Sequence, residues 1–132
     1  MHLHFTTNYA QLILLLFLII VFVQSGVDKL KDWNGNYSWL TSHFAQSPFK
    51  NSVGLLLGIL TFMELAAGIL SVVGFVHLLL HDNDLLAFYA ALISSITLLL
   101  LLLGQRVAKD YEGAKTIVIY LIPTVFLLYL LQ

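Results

Sequence analysis

One apolar run, residues 53–80, constrains this chain more than any other feature, and a single charged residue, Glu64, interrupts it. At about 1.5 Å of rise per residue, a helix of that length crosses a hydrocarbon core of roughly 30 Å. Three further runs are long enough to do the same. The spacing predicts spans over 8–27, 53–76, 85–103 and 114–131, with one long connection, 29–52, and consecutive spans expected to run antiparallel. Composition agrees: 60% of the 132 residues are hydrophobic and 10% are charged, against about 25% charged in soluble domains. The expected fold is all-α, a polytopic membrane four-helix bundle forming a single domain. The fourth span carries Pro123, tolerated in a membrane helix because neighbours re-satisfy the freed carbonyl.

The remaining composition narrows the chemistry. The chain has no cysteine, which excludes thiol nucleophiles, thiolate metal sites and disulfide relays within it. The N-terminus lacks the Lys or Arg of a signal peptide, so the first span is expected to be retained. Nothing points to nucleic acid. The expected partners are the lipid bilayer and either a membrane protein or further copies of this chain.

Charge predicts the orientation. Lys29, Lys31 and Lys50 fall in the first connection and Arg106, Lys109 and Lys115 in the third, while the other loops and both termini carry no basic residue. Short basic loops stay cytoplasmic, so both termini are expected outside. His77, His81, Asp82 and Asp84, with His2 and His4, then mark the outer face.

Within the second span, Gly54, Gly58, Thr61, Glu64, Gly68 and Ser71 recur at steps of three and four and so share one helix face. Small residues at that spacing let helices approach, and Gly54 with Gly58 forms a GxxxG. Gly54, Gly58, Gly68 and Ser71 are therefore packing candidates. Glu64 points toward protein, where an acid costs on the order of 3 kcal/mol and serves either as a proton carrier or as a polar anchor.

More polar groups gather at the basic ends of the first and third spans: Gln24, Ser25, Asp28 and Lys29, then Gln105, Arg106, Asp110 and Tyr111. Asp28 can pair with Lys29 or Arg106. Because Glu64 lies about 16 Å along its helix from Val53, a bridge to it through Gln24 or water is easier than a direct reach by Arg106. These eight residues form the candidate ligand site.

The connection between the first two spans reads as an interfacial cover. It is rich in aromatics (Trp33, Tyr37, Trp39, Phe44, Phe49), the content expected at headgroup depth. Asn34 and Gly35 suggest a turn, Tyr37, Leu40 and Phe44 can share one face of a short helix, and Ser47 and Pro48 suit the N-cap and first position of the second span. His77 and His81 are one helical turn apart, spacing that suits a metal, but an i, i+4 pair cannot hold a membrane haem from both faces. No metal site is expected.

Several stretches together resemble the DoxX family of small bacterial four-helix membrane proteins. Gln24-Ser25-Gly26-Val27-Asp28-Lys29-Leu30 is similar to the end of that family's first helix. Ser47-Pro48 follows in the connection, and the pattern of Glu64, Gly68 and Gly74 looks like that of its second helix. The stretch 104–114 resembles the link before the fourth. The likeness covers essentially the whole chain. It implies a bacterial inner-membrane location and a role as a non-autonomous subunit linked to quinone-coupled redox chemistry, with a quinone as the implied cofactor, Glu64 as proton carrier and Gln24, Gln105 or Arg106 as hydrogen-bond donors. A non-catalytic accessory subunit and a proton-coupled small transporter are the competing classes.

Overall fold

The computed structural model describes residues 8–48 and 51–132. They form five helices: α1 Tyr9–Lys31, α2 Trp33–His43, α3 Val53–His81, α4 Leu85–Val107 and α5 Tyr111–Leu131. Four of these, α1, α3, α4 and α5, are long and apolar enough to cross a membrane. Their outward faces carry large apolar side chains, with Ile13 64%, Phe62 73% and Ile122 67% exposed. A water-soluble chain does not carry apolar surface on this scale, whereas lipid-facing helices require it. The protein is an integral membrane protein.

The helices pack in the order α1, α3, α4, α5, and the seam that closes the ring, between α5 and α1, is the loosest. The core runs through the centre from Leu12, Leu15, Leu18 and Phe22 of α1, past Ala67 and Leu78 of α3 and Ala87, Ala90, Ala91 and Leu98 of α4, to Leu127 and Leu131 of α5. Small residues set the spacing. A Cβ added at Gly74 would lie 2.8 Å from the Ala87 backbone, and one at Gly68 would lie 3.2 Å from the Val23 amide nitrogen, so α4 and α1 lie against α3 at backbone distance. Ser71, also buried, turns its hydroxyl to the Ala67 carbonyl at 2.7 Å.

Two of the expected packing glycines behave differently. A Cβ at Gly54 would lie 3.2 Å from the ring of Tyr37 on α2, and one at Gly58 would meet nothing within 4 Å. The GxxxG therefore closes no helix pair in this chain; the close approaches use Gly68 and Gly74, nearer the middle of α3.

Every membrane helix starts at or within three residues of its expected beginning, and the first three end later than expected. Residues 28–31, three of them charged, continue α1, α3 runs to His81, and α4 runs to Val107, because Lys, Arg, Gln and Asp are acceptable in a final turn that projects beyond hydrocarbon. Asn34 and Gly35 form no separate turn. They lie in the first turn of α2, whose N-cap Asp32 accepts a bond from the Gly35 amide at 3.2 Å. The same device starts α5, where Asp110 accepts from the Gly113 amide at 3.0 Å. In both caps, Lys-Asp-aromatic-x-Gly, the glycine leaves room for the carboxylate, which an added Cβ would strike. Ser47 and Pro48 do not start α3. Ser52 holds the N-cap position, and the Ser47 hydroxyl donates back to the Phe44 carbonyl at 2.9 Å. Phe49 and Lys50 lie outside the described residues.

Helix α2 crosses the end of the bundle where α1 and α4 finish and α3 and α5 begin. Tyr37 reaches Gly54 and Phe44 reaches Gly104, while His43 Nε2 lies 3.3 Å from Asp110 Oδ2. At the opposite end, Asn8 donates to Asp82 at 3.3 Å. The two termini of the bundle thus share the face opposite α2.

Candidate functional site

Glu64 is 1% exposed, and one of its two carboxylate oxygens carries all its bonds. The Ser25 hydroxyl donates to Oε2 at 2.6 Å. Lys29 Nζ donates to the same Oε2 at 3.1 Å and to the Ser25 oxygen at 2.9 Å. Ser25 and Lys29 sit at i and i+4 on α1 and so present one face to α3. The short Ser side chain can span the interface because a glycine from each helix lies beside it. A Cβ at Gly26 would sit 2.6 Å from Leu65 of α3, and one at Gly68 would sit 2.9 Å from Val23 of α1.

Depth measured along α3 put Arg106 out of direct reach of Glu64, and the partner in the structure is Lys29. Along α1 the distance is shorter: Ser25, level with Glu64, is about 9 Å from the end of that helix at Lys31. The flexible Lys29 stem covers the rest, burying its methylenes while its ammonium reaches the acid.

Glu64 Oε1 is buried and has no hydrogen-bond partner among the described residues. Glu64 also borders a cavity of about 350 Å³ lined by Ile20, Val21, Phe22, Gln24, Ser25 and Asp28 of α1, Leu98 and Leu101 of α4, and Ile117 and Tyr120 of α5. The cavity occupies the loose α1–α5 seam, with exposed Gln24 and Asp28 at its mouth. A buried acceptor left unpaired costs about 1–3 kcal/mol, so this oxygen calls for a donor, either water or a ligand.

The eight residues expected to form one ligand site divide into two groups. Gln24, Ser25 and Asp28 line the cavity and Lys29 braces Glu64. Gln105, Arg106, Asp110 and Tyr111 instead build the α4–α5 corner. There the Arg106 guanidinium lies 4.9 Å from the centre of the Tyr111 ring, Asp110 caps α5, and the Gln105 carbonyl accepts the Asp110 amide at 2.9 Å. Asp28 pairs with neither Lys29 nor Arg106, because each cation is engaged elsewhere.

Two residues not anticipated from the sequence enter these groups. Tyr120 lines the cavity and stacks edge-on against Phe17 at 5.9 Å. His43 joins the corner, stacked on Trp39 at 4.4 Å, its Nε2 near Asp110 but not aligned for a hydrogen bond. Tyr120 carries a signal that charge-led reading passes over: a hydroxyl in an apolar span. His43 carries none, since its role depends on where α2 ends.

A second cavity, of about 260 Å³, lies on the other side of the bundle among Leu40, Phe44, Val53, Leu57, Leu100 and Leu103 and is almost wholly apolar. At the opposite end of α3, His77 and His81 meet edge-on at 5.7 Å, and no group of three or more metal-binding side chains gathers among the described residues. His2 and His4 lie outside those residues. No family model, curated protein or solved structure matches this chain.

Proposed function

We propose that this protein is a DoxX-like subunit of a quinone-linked membrane oxidoreductase, and that its α1–α5 cavity receives the headgroup of a quinol. The observation that carries this is the buried, unpartnered Oε1 of Glu64, a residue that borders the cavity. A quinol supplies two O–H donors and, on oxidation, two protons and two electrons. Glu64 accepts one O–H at Oε1, Lys29 and Ser25 hold the carboxylate in place through Oε2, and Gln24 and Tyr120 are the polar groups available to the rest of the ring. Phe22 and Leu98 supply the apolar wall that such a headgroup needs. The loose α1–α5 seam leads toward lipid, where an isoprenoid tail belongs. Electrons pass to a partner subunit, which makes this chain non-autonomous.

Binding of a short-tailed quinol to purified protein in lipid nanodiscs tests the proposal. Glu64→Gln keeps size and one acceptor but loses the charge that strengthens the hydrogen bond, and is expected to weaken binding by about tenfold, or about 1.4 kcal/mol. Unchanged affinity would overturn the assignment of Glu64 to the ligand.

The basic residues set the proposed orientation. Lys31, Arg106, Lys109 and Lys115 remain at the α2 face even when Lys29 is counted as a site residue. That face is therefore cytoplasmic in a bacterial inner membrane, with both termini outside. A reporter active only outside the cytoplasm, fused at Gln132, is expected to be active; activity of a cytoplasm-only reporter would reverse the assignment.

A further inference from the structure

Asp28 has no structural return for its placement. It lies in the last turns of α1, where the helix dipole disfavours an acid, and its side chain makes no hydrogen bond or ion pair among the described residues. It is exposed, yet it lines the same cavity as Glu64. Glu64 carries the one carboxylate oxygen among the described residues that is buried and unpaired, Oε1. The other residues lining the space are Gln24 and Ser25 with the apolar Ile20, Val21 and Phe22 from α1, the apolar Leu98 and Leu101 from α4, and Ile117 and Tyr120 from α5. Lys29 holds the opposite oxygen, Oε2. Asp28 is thus the only other carboxylate bordering the cavity among the described residues, and it is exposed at the cavity mouth.

We infer that Asp28 relays protons between Glu64 and the water at the α2 face, through water held in the α1–α5 cavity. A volume of about 350 Å³ admits several waters, and Gln24, Ser25, Asp28 and Tyr120 on its lining give them partners. The step moves one proton and no electrons. The Glu64 O–H bond breaks as a cavity water takes the proton, that water passes a proton to the Asp28 carboxylate, and Asp28 releases it to bulk. This rests on the proposal that Glu64 receives a proton from a ligand, to which it adds the route by which the acid is reset. Asp28 acts through Glu64 and is a positioning and relay residue.

Time-resolved infrared spectroscopy after a caged-proton pulse tests this on the whole protein in lipid nanodiscs with no quinone present. The carboxyl C=O band of Glu64 is identified by its loss in Glu64→Gln. Asp28→Asn, an isosteric change at an exposed position, is expected to slow the appearance of that band by about a hundredfold, the usual scale for loss of a positioned proton-transfer group. Added formate, a small weak acid that can enter the cavity, is expected to restore the rate, as is Asp28→Glu. Glu112→Gln, an exposed acid at the same face outside the cavity, is expected to leave it unchanged. No slowing in Asp28→Asn, slowing that formate does not rescue, or a Glu64 band that never responds to the pulse in the unaltered protein would each overturn the relay. Because quinone is absent, these outcomes are separate from the Glu64→Gln binding test: a ligand can bind where no relay operates, and a relay can operate where no quinol binds.

Discussion

Lys29→Met is expected to destabilise the bundle by about 3–5 kcal/mol, the scale for removing one partner of a buried ion pair. Lys29 supplies the only cation within 4 Å of Glu64 among the described residues, and Glu64 is 1% exposed at membrane depth. The substitution keeps the apolar stem and removes the ammonium, so the loss is electrostatic and not one of packing. Ser25 alone is left to stabilise the acid. The double variant Lys29→Met, Glu64→Leu is expected to recover most of the loss, since replacing a whole buried pair by apolar groups is often neutral or favourable. The Ser25 hydroxyl then turns to the Val21 carbonyl one turn back. Equilibrium unfolding in mixed micelles measures both variants. If the double variant is no more stable than Lys29→Met, the ion pair is not the source of the effect.

Two glycines on α3 are expected to respond in opposite directions to the same change. Gly74→Ala places a methyl 2.8 Å from backbone atoms of Ala87, which no rotamer change relieves. The α3–α4 pair must separate, at about 1–3 kcal/mol for overpacking. Gly58→Ala adds its methyl to open space and is expected to stabilise by about 0.5–1 kcal/mol, the ordinary gain from removing a helical glycine. The same unfolding assay reads both. A destabilising Gly58→Ala would indicate that this face meets another protein surface within the membrane, and a neutral Gly74→Ala would refute the backbone contact at Ala87.

Much of the site was legible before any tertiary information. The isolation of Glu64 in an apolar run, and its place on a face with Thr61, Gly68 and Ser71, pointed it inward, and in the structure it is buried with all of them. The gathering of Gln24, Ser25, Asp28 and Lys29 at one helix end was visible as a cluster. Their partition was not. Asp110 and Arg106 have the same residue types as Asp28 and Lys29, and only the cap that Asp110 forms with Gly113 and the stacking of Arg106 on Tyr111 remove them from the cavity. Gly74 continues the stripe three residues beyond Ser71, yet its importance comes from Ala87, a residue on another helix.

What this sequence determines alone is local: the number of spans, set by the length of apolar runs; their alternating direction, set by connections with no further apolar run long enough to cross; the face that carries the basic residues; and the cost of one buried acid. What the tertiary structure decides is how far each helix slides and turns against the next. Helices that are apolar on every side carry little periodicity to announce their rotation, and in lipid no hydrophobic gradient selects one face over another. Glycines and serines do that here, by allowing backbone approach at Gly26, Gly68 and Gly74 and by bringing Ser25 level with Glu64. The partner of Glu64, the oxygen it leaves unpaired and the seam that opens beside it all follow from that axial shift.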